Sequence, residues 1–186
     1  MHLKILDNSI FYIVVPANTH TGGPKDLHQL AYELQKLGKK VFMYYFPTTG
    51  ENPVHNNYKI YNIPYTNKII DNKKNILIIS EISSNIQISK RFNYIQKVLW
   101  WLSLDYFFIT NFNNNFPKFL RSIIKLPFNL INLFNKLTLN YFGNLSYAKY
   151  LKIIYLKYPF KNVLSIKEIN LNLSQSIYQK LILKNK

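Results

Sequence analysis

The sequence predicts an α/β protein built on a doubly wound, mostly parallel sheet. Two observations carry this. Runs of β-branched, aliphatic and aromatic residues without polar alternation, typical of strands buried on both faces, recur at Ser9–Val15, Val41–Tyr45, Asn75–Ile79 and Lys97–Leu102. Helix-period segments separate them, most clearly Leu27, Leu30, Ala31, Leu34 and Leu37, and alternating strands and helices imply crossover connections and parallel pairing.

The elements follow in order. Ser9–Val15 opens the sheet and Pro16–Thr21 is loop. Gly22, Gly23 and Pro24 lead into the first helix, with Pro24 expected at its first position. Gly38 stands just past Leu37, where a glycine commonly ends a helix, and Val41–Tyr45 completes a right-handed βαβ unit. Thr48–Lys74 is polar and irregular, with one short strand expected near Tyr58–Ile63. Asn75–Ile79 is a strand, Ile86–Ile95 a helix and Lys97–Leu102 a strand. Asn111–Leu139, broken by Pro117 and Pro127, reads as two helical pieces. Ser146–Tyr158 is a helix closed by Pro159. Asn162–Ile166 and Leu171–Leu173 are short strands, and a last helix starts near Ser176. The expectation is a single domain over residues 1–186, with 111–160 an extra basic helical segment.

Composition narrows the partners. Hydrophobic residues make up 48% of the chain, enough for a packed core, and the absence of cysteine excludes disulfides and thiolate metal sites. The net charge of +16 is uneven: residues 1–117 hold 12 Lys/Arg against 7 Asp/Glu, residues 118–186 hold 12 against 1. Such a field favours phosphate-rich partners. The segment Lys118–Lys161 interleaves cations with Leu, Ile and Phe, as an interfacial helix on an anionic membrane does. Nucleic acid is not expected, because no base-reading element is present. Neither a signal peptide nor a transmembrane helix is expected, and a cytoplasmic protein, peripheral on the inner membrane face, fits.

Several residues are candidates for chemistry. Gly22 and Gly23 lie between the first strand and first helix, where ligands of open α/β sheets bind. They either let a phosphate approach the helix N-terminus or simply ease the turn. His20 in the loop is placed to touch a substrate. His28 is either a crevice-facing base or hydrogen-bond donor, or a boundary residue satisfied locally. Glu81 and Asp105 follow strand ends and suit a general base, with helix capping or charge balance as the alternative. The apolar surroundings of Asp105 in "WWLSLDYF" favour the first role. Trp100, Trp101, Tyr106, Phe107, Phe108 and Phe112 suit stacking on rings or, more simply, core packing. The four histidines are scattered, and no residue spacing suggests a metal site.

Four stretches resemble one family. "TGGPKDLHQLAYELQKLGKKVFMYYF" resembles the start of GT-B-fold glycosyltransferases, in which a strand and a Gly-Gly turn precede a helix with the spacing of Leu30, Ala31, Leu34, Gly38 and Val41. "NILIISE" resembles a strand followed by "PE", with Ser80 replacing the proline. "KVLWWLSLDYF" is similar to the "WWLSVDNF" stretch of a bacterial polysaccharide-type subgroup. "LNLSQSIYQKLIL" is similar to that subgroup's "HLxQSxYAxxFL" at Gln175, Ser176 and Tyr178, with Asn172 in place of the histidine. The resemblance covers roughly residues 9–110 and 163–186. It implies a Rossmann-like half of a two-half enzyme that moves a sugar from a nucleotide-sugar to a surface-polysaccharide or lipid-linked acceptor, without metal or cofactor. Thr21, Gly22, Gly23, His28, Ser103, Gln175 and Ser176 would contact the donor diphosphate or substrate. Asp105, Glu81 and His20 would be the candidate bases. The acid pair and second set of α/β units of the donor-binding half are not found in these 186 residues, so an acceptor-side half needing a separate donor domain is expected. The alternatives are a non-catalytic, membrane-associated interaction module, a degenerate fragment, or a nucleotide-binding α/β protein of other chemistry.

Overall fold

A computed structural model describes residues 3–47, 52–137, 146–157 and 169–174. The expected strand at Asn162–Ile166 and the last helix from Ser176 lie outside the described residues. The chain forms two compact units, one of residues up to 102 together with 169–174, the other within 103–157.

The first unit is an α/β sheet of five parallel strands: β1 (Ile10–Pro16), β2 (Lys40–Phe46), β3 (Ile76–Ser80), β4 (Gln96–Trp101) and β5 (Leu171–Ser174). Their order is β2-β1-β3-β4-β5. The chain therefore steps from β1 to one side, returns past it to β3, and continues outward. With right-handed crossovers, steps in opposite directions put helix α1 (Gly22–Lys36) and helix α2 (Ser83–Ser89) on opposite faces, a Rossmann-like doubly wound arrangement. Phe11–Val15 and the whole of β3 are buried, as strands covered on both faces must be.

Amide side chains close the amino-terminal edge of this sheet. Asn75 Oδ1 accepts from the Ile10 N–H at 3.2 Å, and its amide donates to the Ile70 carbonyl at 3.0 Å. Gln96 exchanges two 2.7 Å bonds with the Lys4 backbone, and Asn170 Oδ1 accepts from the Lys97 N–H at 2.7 Å. These bonds satisfy backbone groups that the strand ends leave unpaired.

Local chemistry explains the element ends. Helix α1 starts at Gly22, so Pro24 is its third residue rather than its first; the missing N–H costs nothing there, because the first turn has no intrahelical acceptors. It ends in a Schellman turn: the Gly38 N–H donates to the Gln35 carbonyl and the Lys39 N–H to that of Leu34, with Gly38 at φ +71°. The stretch expected to be a strand near Tyr58 is a 3₁₀ helix, Asn56–Tyr61, capped by His55 Nδ1 and ended by Asn62 at φ 46°. Helix α2 stops at Ser89, well short of Ile95, because the Asp71 carboxylate takes the N–H groups of Asn93, Tyr94 and Ile95 and holds them as a bend.

The second unit is helical: α3 (Leu104–Asn115), α4 (Lys118–Leu137) and α5 (Tyr147–Lys157). Helix α3 begins earlier than expected and takes in Tyr106–Phe108. Pro117 separates α3 from α4, but Pro127 lies inside α4 instead of breaking it. Both Pro127 and Ile123 are exposed, where water can serve the carbonyl that lacks a partner N–H.

Two outcomes follow. Gly38→Ala is expected to lower stability by about 1 kcal/mol in a denaturant titration, because alanine resists positive φ. At Asp71, burial is the largest single influence and opposes ionisation, but the three N–H bonds and Lys97 outweigh it and hold the carboxyl below its ordinary 3.8. A depressed folded value contributes stability that is present above about pH 3.8 and lost as pH falls through the folded value. Asp71→Asn is therefore expected to lower the melting temperature at neutral pH, with the gap closing in acid.

Candidate functional site

Reversal of the strand order between β1 and β3 opens a crevice at their carboxyl ends, the usual ligand position in open α/β sheets. The loop leaving β1 is fastened there. The Asn18 N–H donates to the Pro53 carbonyl at 3.0 Å, with Asn18 at φ 50°. Thr21 is the N-cap of α1, but its side chain makes no capping bond, and the first turn contains no acid. The amides of Gly22 and Gly23 thus stand at a positive helix end that no first-turn carboxylate offsets.

The two glycines differ. A Cβ on Gly22 would meet nothing within 4 Å, and its backbone angle is ordinary, so neither space nor conformation requires glycine. A Cβ on Gly23 would lie 3.4 Å from Leu102 Cδ1, at the edge of normal contact. Leu102 in turn donates its N–H to Glu81 Oε2 at 2.9 Å. The ends of β3 and β4 and the start of α1 are therefore joined through Leu102. Glu81 is buried at the sheet's carboxyl edge, with this oxygen committed to the backbone.

His28 is deeply buried in α1 and its ring is used on both sides: Nδ1 lies 2.7 Å from the Pro24 carbonyl, Nε2 2.8 Å from the Tyr45 hydroxyl. A carbonyl only accepts, so Nδ1 carries the proton and Tyr45 donates to Nε2. Burial lowers the His28 pKa below its ordinary 6.5, against an opposing contribution from the Pro24 carbonyl. Tyr58 stacks on the His28 ring at 4.1 Å and donates from its hydroxyl to the Thr21 carbonyl at 3.1 Å. His20, exposed, stacks on His55 at 5.0 Å, and Asn57 Nδ2 occupies its Nε2 at 2.8 Å, the lone pair a base would use.

Three histidines that look scattered in sequence thus gather round Tyr58. Among the described residues no group of His, Asp and Glu is placed to hold a metal ion. Beside this cluster is a cavity of about 270 Å³ lined by His28, Tyr45, Tyr58, Tyr65, Asn52 and Asn62, together with Lys59. Rings and amides of this kind suit a polyhydroxylated ligand. Sequence reasoning missed Tyr45, His55, Asn57, Tyr58 and Leu102. Tyr45 reads as an ordinary strand residue, and the others carry no local signal.

Ser103 and Asp105 belong to the second unit. Ser103 Oγ caps α3 by accepting from the Tyr106 N–H at 3.3 Å, and Asp105 is exposed in the first turn. The apolar neighbourhood expected for Asp105 is absent because helical periodicity buries Leu104, Phe107 and Phe108 and turns Asp105 and Tyr106 outward. Its charge favours the helix N-terminus. Trp101 and Phe112 are buried, the packing role, whereas Tyr106 is exposed. Gln175 and Ser176 lie outside the described residues.

His28→Phe would strand the buried Tyr45 hydroxyl, at a cost of about 1–3 kcal/mol in a urea titration. The unfolded chain also binds a proton at His28 more readily than the folded one, so stability falls as pH drops below about 6.5. The variant is expected to lose that part of the pH dependence. No protein-family model, curated protein or solved structure matches the chain.

Proposed function

We propose that the first unit is the acceptor-side half of a GT-B-type glycosyltransferase, acting on a nucleotide-sugar donor and a surface-polysaccharide or lipid-linked acceptor. The observation that carries the reading is Gly22. It opens a helix at the carboxyl end of β1, with free amides, no first-turn acid and no structural need to lack a side chain. A group that must approach the backbone closely accounts for a glycine there, and a diphosphate is the group that helix N-termini favour. The resemblance of "TGGPKDLHQLAYELQKLGKKV" to the family's opening βα unit supports the same reading, and it is what points to a sugar as the transferred group.

In this scheme the amides of Gly22 and Gly23 stabilise negative charge that builds on the leaving diphosphate. Glu81 is the base candidate best placed in this unit, buried beside the crevice. Accepting the acceptor's hydroxyl proton requires a carboxylate oxygen within reach, which Glu81 provides once Oε2 releases the Leu102 N–H. His20 serves only by releasing Asn57. The aromatic and amide cavity supplies contacts for an acceptor sugar. The donor's base and sugar are held by a second half, in this polypeptide or another.

Thermal-shift screening against nucleotide-sugars and free nucleoside diphosphates tests the reading, because a ligand of the folded state raises the melting temperature in proportion to its occupancy. Gly22→Ala is expected to leave the unliganded melting temperature unchanged or raise it slightly, while diminishing the ligand-induced rise. An undiminished rise would remove Gly22 from the site. The purified 186-residue chain alone is expected to transfer no detectable sugar, and measurable transfer would contradict the need for a second half.

A further inference from the structure

We infer that α4 is an interfacial helix that lies along an anionic lipid surface. Phe119, Ile123, Leu126, Leu130, Leu133 and Leu137 recur at steps of four and three, so at 100° per residue they fall within an arc of roughly 80°. Each of the six is between 54% and 75% exposed. A continuous stripe of this kind is unlike the single apolar residues scattered over ordinary surfaces.

The stripe is not the face by which α4 packs in its own unit. That face carries Ile124, whose carbonyl accepts from the Tyr150 hydroxyl at 2.8 Å, and Phe128, whose ring lies 5.0 Å from Tyr147 and 5.5 Å from Tyr150. Lys118, Lys125 and Lys136 line the opposite border of the stripe, about 100–120° from its centre, and all three are exposed. Lys125 also approaches the Tyr147 ring at 5.6 Å. Helix α4 holds no acid, and none occurs in the sequence between Asp105 and Glu168.

The charge selects the occupant. The four–three spacing also suits a coiled-coil seam, but a second copy of α4 would oppose lysines with lysines and offer no acid to pair them. An anionic bilayer complements both features, taking the stripe into the boundary below the headgroups while the lysines extend to the lipid phosphates. Among the described residues no helix is long and apolar enough to cross a membrane, so α4 lies on the surface. The inference does not depend on the function of the first unit.

Co-sedimentation of the full 186-residue chain tests it, using vesicles containing phosphatidylglycerol and vesicles of phosphatidylcholine alone. Binding is expected to the first and to be much weaker to the second. Leu126→Gln with Leu130→Gln should weaken it about tenfold or more with unchanged far-UV circular dichroism, because both side chains are exposed. Lys118→Gln with Lys136→Gln, which leaves the stripe intact, should weaken it about tenfold. Absence of binding, equal binding to both vesicles, or undiminished binding by the leucine variant would overturn the inference. So would self-association that the leucine variant abolishes, which would assign the stripe to a second copy.

Discussion

The first unit depends on β1 being paired in parallel on both sides. Its seven residues run in register with β2 from Ile10↔Lys40 to Pro16↔Phe46, and Phe11–Ile13 pair with Ile76–Ile78 on β3. A strand so placed has no exposed face, which is why its middle is five consecutive buried apolar residues. It is also where the chain reverses its direction of travel across the sheet. The connections leaving β1 and β3 consequently diverge, and a crevice remains at their carboxyl ends. The start of α1, the Glu81 carboxylate and the Leu102 backbone are all positioned by that one pairing.

Helix α1 is anchored at this crevice from below and from the side. Leu27 and Ala31 pack into the core, while His28 is tied to Pro24 in its own helix and to Tyr45 on β2. The Tyr58 ring covers His28, and its hydroxyl fixes the Thr21 carbonyl. The first turn is therefore presented by a rigid framework, although its amides and Gly22 remain open. A fixed set of donors at a positive helix end needs little reorganisation when negative charge arrives, and that condition favours the proposed contact with a leaving diphosphate.

Much of the fold was legible because buried parallel strands and an amphipathic helix leave strong local patterns. All four long strands lie within one residue of the runs that suggested them, and Gly38 ends α1 as expected. The failures have physical causes. Tyr58 and Ile60 fit a two-residue period, but Tyr58 and Tyr61 fit a three-residue one, and His55 and Asn62 decided between them. Helix α2 was cut short by Asp71, a partner more than 20 residues away. Of the candidate site, the placement of Gly22, Gly23 and Glu81 at the carboxyl ends of β1 and β3 was legible, because position along a βα unit fixes it. His28, Tyr45 and Tyr58 come together only through tertiary packing, and helical periodicity turns Asp105 to solvent despite the apolar residues beside it.

Contact between a diphosphate and the amides at the start of α1 is tested most directly by amide NMR of the isotope-labelled chain titrated with a nucleoside diphosphate. The Gly22 and Gly23 resonances are expected to shift most, along a single saturating curve. Saturable shifts confined to other parts of the chain, with Gly22 and Gly23 unmoved, would contradict it.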